Sequence, residues 1–343
     1  MAAMLLFSLG CSSREPVADA GALDPERGGA AQAEAAAGVT AVPESPPRAR
    51  RQGGTAQVQR LALLPADVLE TSGLAGIDSR LWTLNDSGDD AVIYQLSEDG
   101  RGISKQLYLA GARNVDWESL ALDDTHLYIA DCGNNQGRRG TLDLYRVPLH
   151  ELSAPDGSRV GYATARFRYG QRLEVTASDS HNFDCEAVTA VGDELWLFSK
   201  NRADGNTELY RLDKRASDQA VFPTGSYPVE GLITAADYDP VSRRLVLLGY
   251  SRQRFFGHSF IWFIPLSSEA GSVKRPAPDW SGAQRYRLSE YAQWEAISWD
   301  GQHRLLLTSE RSPLSDAQLG EIRLDDSGVP LAPAVDPDDS SLW

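Results

Sequence analysis

One pattern runs through this chain five times, starting at Ser72, Glu118, Glu186, Thr234 and Glu295. Each unit opens with a short apolar run and a tight turn carrying Asp, Gly or Pro. A second apolar run, a polar loop and a third run follow, the third runs being AVIYQL, LDLYRV, ELYRL, SFIWFI and GEIRL. A weaker fourth run (KQLYLAG, ATARFRYG, QAVFPTG or AQRYRLS) follows most units. Runs of about 5–6 residues between turn formers read as antiparallel strands. A four-stranded unit repeated in series is the signature of a β-propeller blade, because one such sheet cannot cover its own two faces but a ring of them can. The fifth unit has no fourth run of its own, while QVQRLALLP at residues 57–65 stands ahead of the first unit without a partner. Pairing the two closes the ring and removes an open sheet edge. The expectation is an all-β chain with a five-bladed β-propeller over residues 56–326, closed by its N-terminal strand. Six blades is the alternative if one of the longer spacings hides a degenerate unit, and a β-sandwich would not require five-fold self-similarity.

Residues outside the repeats have a different composition. The start, MAAMLLFSLGCSS, is a short apolar segment ending in Ser8-Leu9-Gly10-Cys11 and resembles a bacterial lipoprotein signal. Ser8 stands where that pattern usually has Leu, and no Lys or Arg precedes the apolar run. The resemblance implies a signal segment at 1–10, lipid on Cys11 and, with Ser12 following, sorting toward an outer membrane; a short apolar start without a targeting role is the other reading. Residues 11–55 are rich in Ala, Gly, Pro, Glu and Arg, too poor in apolar side chains to offset their ordering entropy, and read as a disordered tether. Residues 327–343 read as a tail. The formal charge of −15 argues against nucleic-acid phosphates as a partner and leaves cations, small ligands, glycans or an envelope protein. No run of about 18 apolar residues exists, so any membrane association would run through the lipid anchor, with a periplasmic or secreted protein as the alternative.

Acidic residues recur at fixed places in the units. Asp116, Glu118, Asp184, Glu186 and Glu295 stand at the starts of first strands; Asp86, Asp131 and Glu310 stand at the ends of second strands. In a blade the first two strands are antiparallel, so these positions meet at one mouth of the central channel. Asn85, Asn134, Asn135 and Asn201 join them from loops, with Lys200 as the main nearby cation. Converging carboxylates repel and raise one another's pKa unless something neutralises them. Oxygen donors without a Cys or His cluster suit a hard cation such as Ca²⁺. Glu118, Glu186 and Glu295 are the first candidate ligands, then Asp131 and Asp86. Acids near strand ends also serve turns by accepting backbone N–H bonds, and that structural role stands level with the cation reading. Trp117 and Trp294, beside these acids, read equally as packing between blades.

His181, in HNFDCEA, is the one candidate general base near the mouth acids, although a lone loop histidine is more often simply exposed. No Gly-x-Ser-x-Gly elbow, Walker-type loop or His-Glu-x-x-His motif occurs. Cys132 ends the first hairpin of unit two and Cys185 opens unit three, so both fall at the same mouth on neighbouring blades. A disulfide stitching those blades is one reading, two buried thiols the other.

The phrases ETSGLAGIDSRLWTLNDSGD, NVDWESLALDDTHLYIADCGNN, HNFDCEAVTAVGDELWLFSKN and GLITAADYDPVSRRLVLLGY resemble a group of uncharacterised, secreted or lipid-anchored bacterial β-propeller proteins. More distantly, the Glu-plus-small-apolar strand starts look like those of calcium-dependent propeller hydrolases of the gluconolactonase, paraoxonase and phytase-like kinds. That likeness implies a metal in the central channel, held by Glu, Asn and Asp. Thr234 stands where other units place Glu, so the ligand set is not matched residue by residue. The functional expectation is small-ligand binding, or metal-assisted ester or lactone hydrolysis, at an acidic mouth. A non-enzymatic envelope module for a protein or glycan is the alternative.

Overall fold

The computed structural model describes residues 51–332, apart from 173, 175, 176, 179, 253–256, 269–274 and 314. The signal segment, Cys11, most of the tether and the last residues of the tail lie outside the described residues. The strands form five small sheets, one per repeat. Blade 1 runs outward from Thr71–Ile77 through Arg80–Asn85 and Val92–Leu96 to Ile103–Leu109. Blade 2 is Trp117–Leu122, His126–Asp131, Leu142–Pro148 and Ala163–Tyr169. Blade 3 is Cys185–Val191, Glu194–Ser199, Thr207–Asp213 and Pro223–Tyr227. Blade 4 is Leu232–Asp239, Arg244–Tyr250, Ser259–Ser268 and Gln284–Leu288. Blade 5 takes Trp294–Trp299, Arg304–Ser309 and Gln318–Arg323 from the C-terminal end and its outermost strand, Gln59–Leu63, from the N-terminal end. The protein is a five-bladed β-propeller, and the early strand closes the ring.

The apolar core is laid down in slabs between blades. Of the five buried clusters, each joins two neighbouring blades; the one between blades 5 and 1 holds Ala62, Leu74, Tyr94, Leu306 and Leu319. Both faces of every blade are thus covered, which explains why the runs alternate little and read as continuously apolar. Trp117 and Trp294 are fully buried in two of these clusters, so they pack blades together. A buried side chain of this kind contributes about 1.5–3 kcal/mol.

Three segments depart from the expected layout in the same way. Arg159–Val160 pairs in parallel with the outer strand of blade 1, Asp218–Val221 with that of blade 2, and Arg51–Ala56 with that of blade 4. Each covers an outer edge with chain about to enter the outer strand of the next blade. The run QAVFPTG is accordingly divided: its first half belongs to blade 2 and its second half begins the outer strand of blade 3. Residues 51–55, assigned to the tether from composition, are strand for the same reason, since a parallel edge partner needs backbone rather than apolar side chains. Past Arg323 the chain hooks back: Leu331 N–H donates to the Arg323 carbonyl, and the Leu331 carbonyl accepts from Gln57 N–H.

Candidate functional site

All five innermost hairpins carry a β-bulge at the same place. Pairing skips one residue between Thr71 and Gly73, Trp117 and Ser119, Cys185 and Ala187, Ile233 and Ala235, and Trp294 and Ala296. The skipped residues are Ser72, Glu118, Glu186, Thr234 and Glu295. Side chains of an innermost strand ordinarily point into the slabs on either side of the blade, leaving only backbone toward the channel. A bulge breaks that alternation and re-aims one side chain. Two of the five re-aimed residues use a hydroxyl to tie neighbouring blades: Ser72 Oγ donates to the Trp117 carbonyl at 2.7 Å, and Thr234 Oγ1 to the Trp294 carbonyl at 2.8 Å. The other three bring Glu118, Glu186 and Glu295 to the mouth, each less than a tenth exposed.

The mouth encloses a cavity of about 130 Å³ to which all five blades contribute. Its wall includes the three glutamates with Ser72, Asp86, Asn135, Lys200, Tyr250, Gln293 and Glu310. Asp86, Lys200 and Glu310 each directly follow a second strand, as the antiparallel geometry requires. On the blade 1–2 side, Asp86, Asp116 and Glu118 each offer a carboxylate oxygen, all within 4.8 Å of one another. Oxygens bound to one Ca²⁺ at about 2.4 Å lie no more than about 4.8 Å apart, so these three can share an ion. Gly133 makes the approach possible. A Cβ there would stand 2.2 Å from Glu118 Oε1 and 2.5 Å from Asp116 Oδ2.

The electrostatics match a cluster short of positive charge. Burial, then the charge of Asp86, pushes the Asp116 carboxyl up to about 7. Burial, then Glu186 and Asp86, raises Glu118 well above the usual carboxylate range. Burial, then Glu295 and Asp86, takes Glu310 up to about 8. On the blade 3–4 side Lys200 Nζ donates to Glu186 Oε2 at 2.9 Å and lies over the Tyr250 ring. Burial alone would lower this ammonium, but Glu186 and its neighbours hold it above the ordinary lysine range. Lys200 therefore serves as a fixed counter-ion for one side of the mouth, while the Asp86–Asp116–Glu118 side has none in contact among the described residues.

Two of the acids have other tasks. Asp131, an expected ligand, is buried within blade 2. It pairs with Arg139 at 2.8 Å and accepts from the Val115 and Asp116 amides and the Tyr145 hydroxyl. It orients the loop that carries Asp116, whereas Asp116 itself joins the cluster. Asp184 accepts from the Asn134 amide and pairs with Arg202 at 2.9 Å. Both follow the rule that a buried carboxylate must be paired. His181 is absent from the cavity wall: its Nδ1 accepts from Phe183 N–H, and its Nε2 faces the Asn135 carbonyl at 3.3 Å. With both ring nitrogens turned to backbone, it is placed as a loop brace. Cys132 and Cys185 form a disulfide, Cα atoms 5.4 Å apart, between the residue before Gly133 and the residue before Glu186. Tyr250, Gln293, Arg139 and Arg202 escaped the sequence reading. By register Tyr250 stands where Asp86, Cys132, Lys200 and Glu310 stand in the other blades, and the repeat offered that signal.

No protein-family profile matches the chain, and no curated protein matches it. Among solved structures it is similar to the PQQ-bound aldose sugar dehydrogenase of Streptomyces coelicolor, with 13% identity, 79% of this chain and 99% of that one covered, and a TM-score of 0.45. It is also similar to an exo-1,5-α-L-arabinanase from a bovine ruminal metagenomic library, with 14% identity, coverages of 77% and 96%, and a TM-score of 0.46. These neighbours are β-propeller proteins, and what they act on is theirs alone.

Proposed function

We propose that the acidic mouth binds a divalent cation, Ca²⁺ by its donor set, and with it a small oxygen-bearing ligand, an ester or lactone being the substrate class to be hydrolysed. The observation that carries this reading is the three-carboxylate cluster, without a contacting cation among the described residues, two of whose members, Asp86 and Glu118, stand on the wall of a cavity built by all five blades. Asp86, Asp116 and Glu118 would hold the ion, and a bound cation would polarise a ligand oxygen. Glu295 and Glu310 stand on the same cavity wall as groups able to hold a proton, while Lys200 and Gln293 are placed to orient a polar ligand. The disulfide suits an oxidising compartment. With the lipoprotein-like start, it supports a place in a bacterial cell envelope.

The deciding experiment is a thermal melt of metal-stripped protein with and without calcium, beside Glu118→Gln. Binding to the native state alone stabilises by about 2.7 kcal/mol at a hundredfold excess over Kd. Calcium should raise the parent's melting temperature and leave the variant's nearly unchanged, and ester or lactone turnover should be lost in EDTA. Identical parent melts in calcium and EDTA would return these acids to turn and packing roles.

A further inference from the structure

The channel has a second opening, at the opposite ends of the innermost strands. There a cavity of about 600 Å³ is lined by all five blades. It is over four times the volume of the acidic mouth's cavity and within the usual range of about 300–1,000 Å³ for small-molecule sites. Its inner wall is apolar and small, with Leu74, Leu120 and Ala190 among its residues. Toward its rim stand four carboxylates, Asp123, Asp124, Asp237 and Asp239, against one ammonium, Lys214.

Three of these acids are fixed in place by the fold. Asp123 pairs with Lys214 at 2.9 Å. Asp237 spans three blades, accepting from Tyr238 N–H, Trp299 N–H and the Thr189 hydroxyl. Asp239 accepts from the Val241 and Ser242 amides. Asp124 is exposed at the rim. Because Lys214 is spent on Asp123, the lining is left with a surplus of three negative charges from Asp124, Asp237 and Asp239. A bare metal ion would fill little of this volume, and acids locked by backbone amides on different blades cannot converge on one. An anion would meet repulsion from the whole rim. A ligand with an apolar body and one positive end meets both halves of the lining.

We propose that this second opening is a binding site for an organic cation, a hydrophobic amine in chemical class, separate from the acidic mouth. The apolar body lies against the inner wall, and the ammonium is held at the rim by carboxylates whose positions the blades already set. Such preorganised acceptors need little reordering when the ligand arrives.

The test uses the full chain and three probes of one shape: 4-phenylbutylamine, 4-phenylbutanol and 4-phenylbutyrate. Calorimetry or ligand-observed NMR in EDTA should show saturable binding of the amine, at least about tenfold weaker binding of the alcohol, and none of the acid. Asp124→Asn should weaken the amine severalfold, and Ala190→Phe, which fills the inner wall, should abolish it. Glu118→Gln, at the other mouth, should leave amine affinity unchanged, separating this site from the proposed cation centre. An amine that binds no better than the alcohol would overturn the proposal. So would an amine displaced by Glu118→Gln but not by Ala190→Phe, or the absence of saturable amine binding to a folded parent.

Discussion

At the residue scale, the site depends on one missing Cβ and on several protons. Gly133 lets the carboxylates of Asp116 and Glu118 lie against the backbone of the neighbouring strand end. Gly133→Ala should leave the fold intact, because the clashing atoms are side-chain ends, but should push the two carboxylates apart. The expected outcome is a normal circular-dichroism spectrum with calcium stabilisation lost or much reduced. Protons supply a second expectation. Asp116 and Glu310 titrate at about 7 and about 8, against ordinary values of 3.8 and 4.5. The folded protein therefore holds these protons more tightly than the unfolded chain. Their contribution is fully present below about pH 4, falls as pH rises, and reaches its floor above about pH 8. In EDTA, melting temperatures measured from about pH 5 to about pH 8.5 should decline in the parent and decline less in an Asp116→Asn, Glu310→Gln double variant. Calcium should flatten the parent's slope, since a bound cation offsets the same repulsion.

At the element scale, the repeated bulge decides which side chain of each innermost strand faces the channel. It lies one residue into the strand in four blades and two residues into Leu232–Asp239 in blade 4, and the residues there are Ser, Glu, Glu, Thr and Glu. The hydroxyls fasten blades to each other, and the glutamates equip the mouth. The Cys132–Cys185 bridge works at the same scale, closing a loop across a sequence separation of 53 residues between blades 2 and 3. A loop of that length removes about 4 kcal/mol of unfolded-state entropy in the simplest treatment. A Cys132→Ser, Cys185→Ser pair should melt several degrees lower than the parent. It should also bind calcium more weakly, because the bridge holds the Gly133 loop beside the start of the Glu186 strand. Loss of stability without loss of calcium affinity would assign the bridge to the fold alone.

At the scale of the whole molecule, ring closure is the step on which the rest depends. Gln59–Leu63 is the only segment among the described residues that pairs with the outer side of Gln318–Arg323. A chain shortened to begin at residue 65 would leave that edge open beside an incomplete slab between blades 5 and 1. Open edges template association. The shortened chain should aggregate or elute as a broad oligomer on size exclusion, whereas one beginning at residue 51 should elute as the parent does.

Much of this architecture could be read from the residues alone. Blade number, ring closure and the gathering of acids at one mouth followed from self-similarity and antiparallel geometry, because a repeat copies its positions wherever it copies its pattern. Pairings between blades were beyond that reading. Parallel edge strands such as Arg51–Ala56 use backbone hydrogen bonds, which leave no side-chain pattern to recognise. The division of the acids was equally hidden: Asp131 and Asp184 acquired arginine partners from loops, while Asp116 was left with Asp86 and Glu118. Residue types and strand order determined which charges reach the mouth. Only the tertiary structure decided which of them are neutralised there, because an ion pair is set by where loops from different turns of the chain meet.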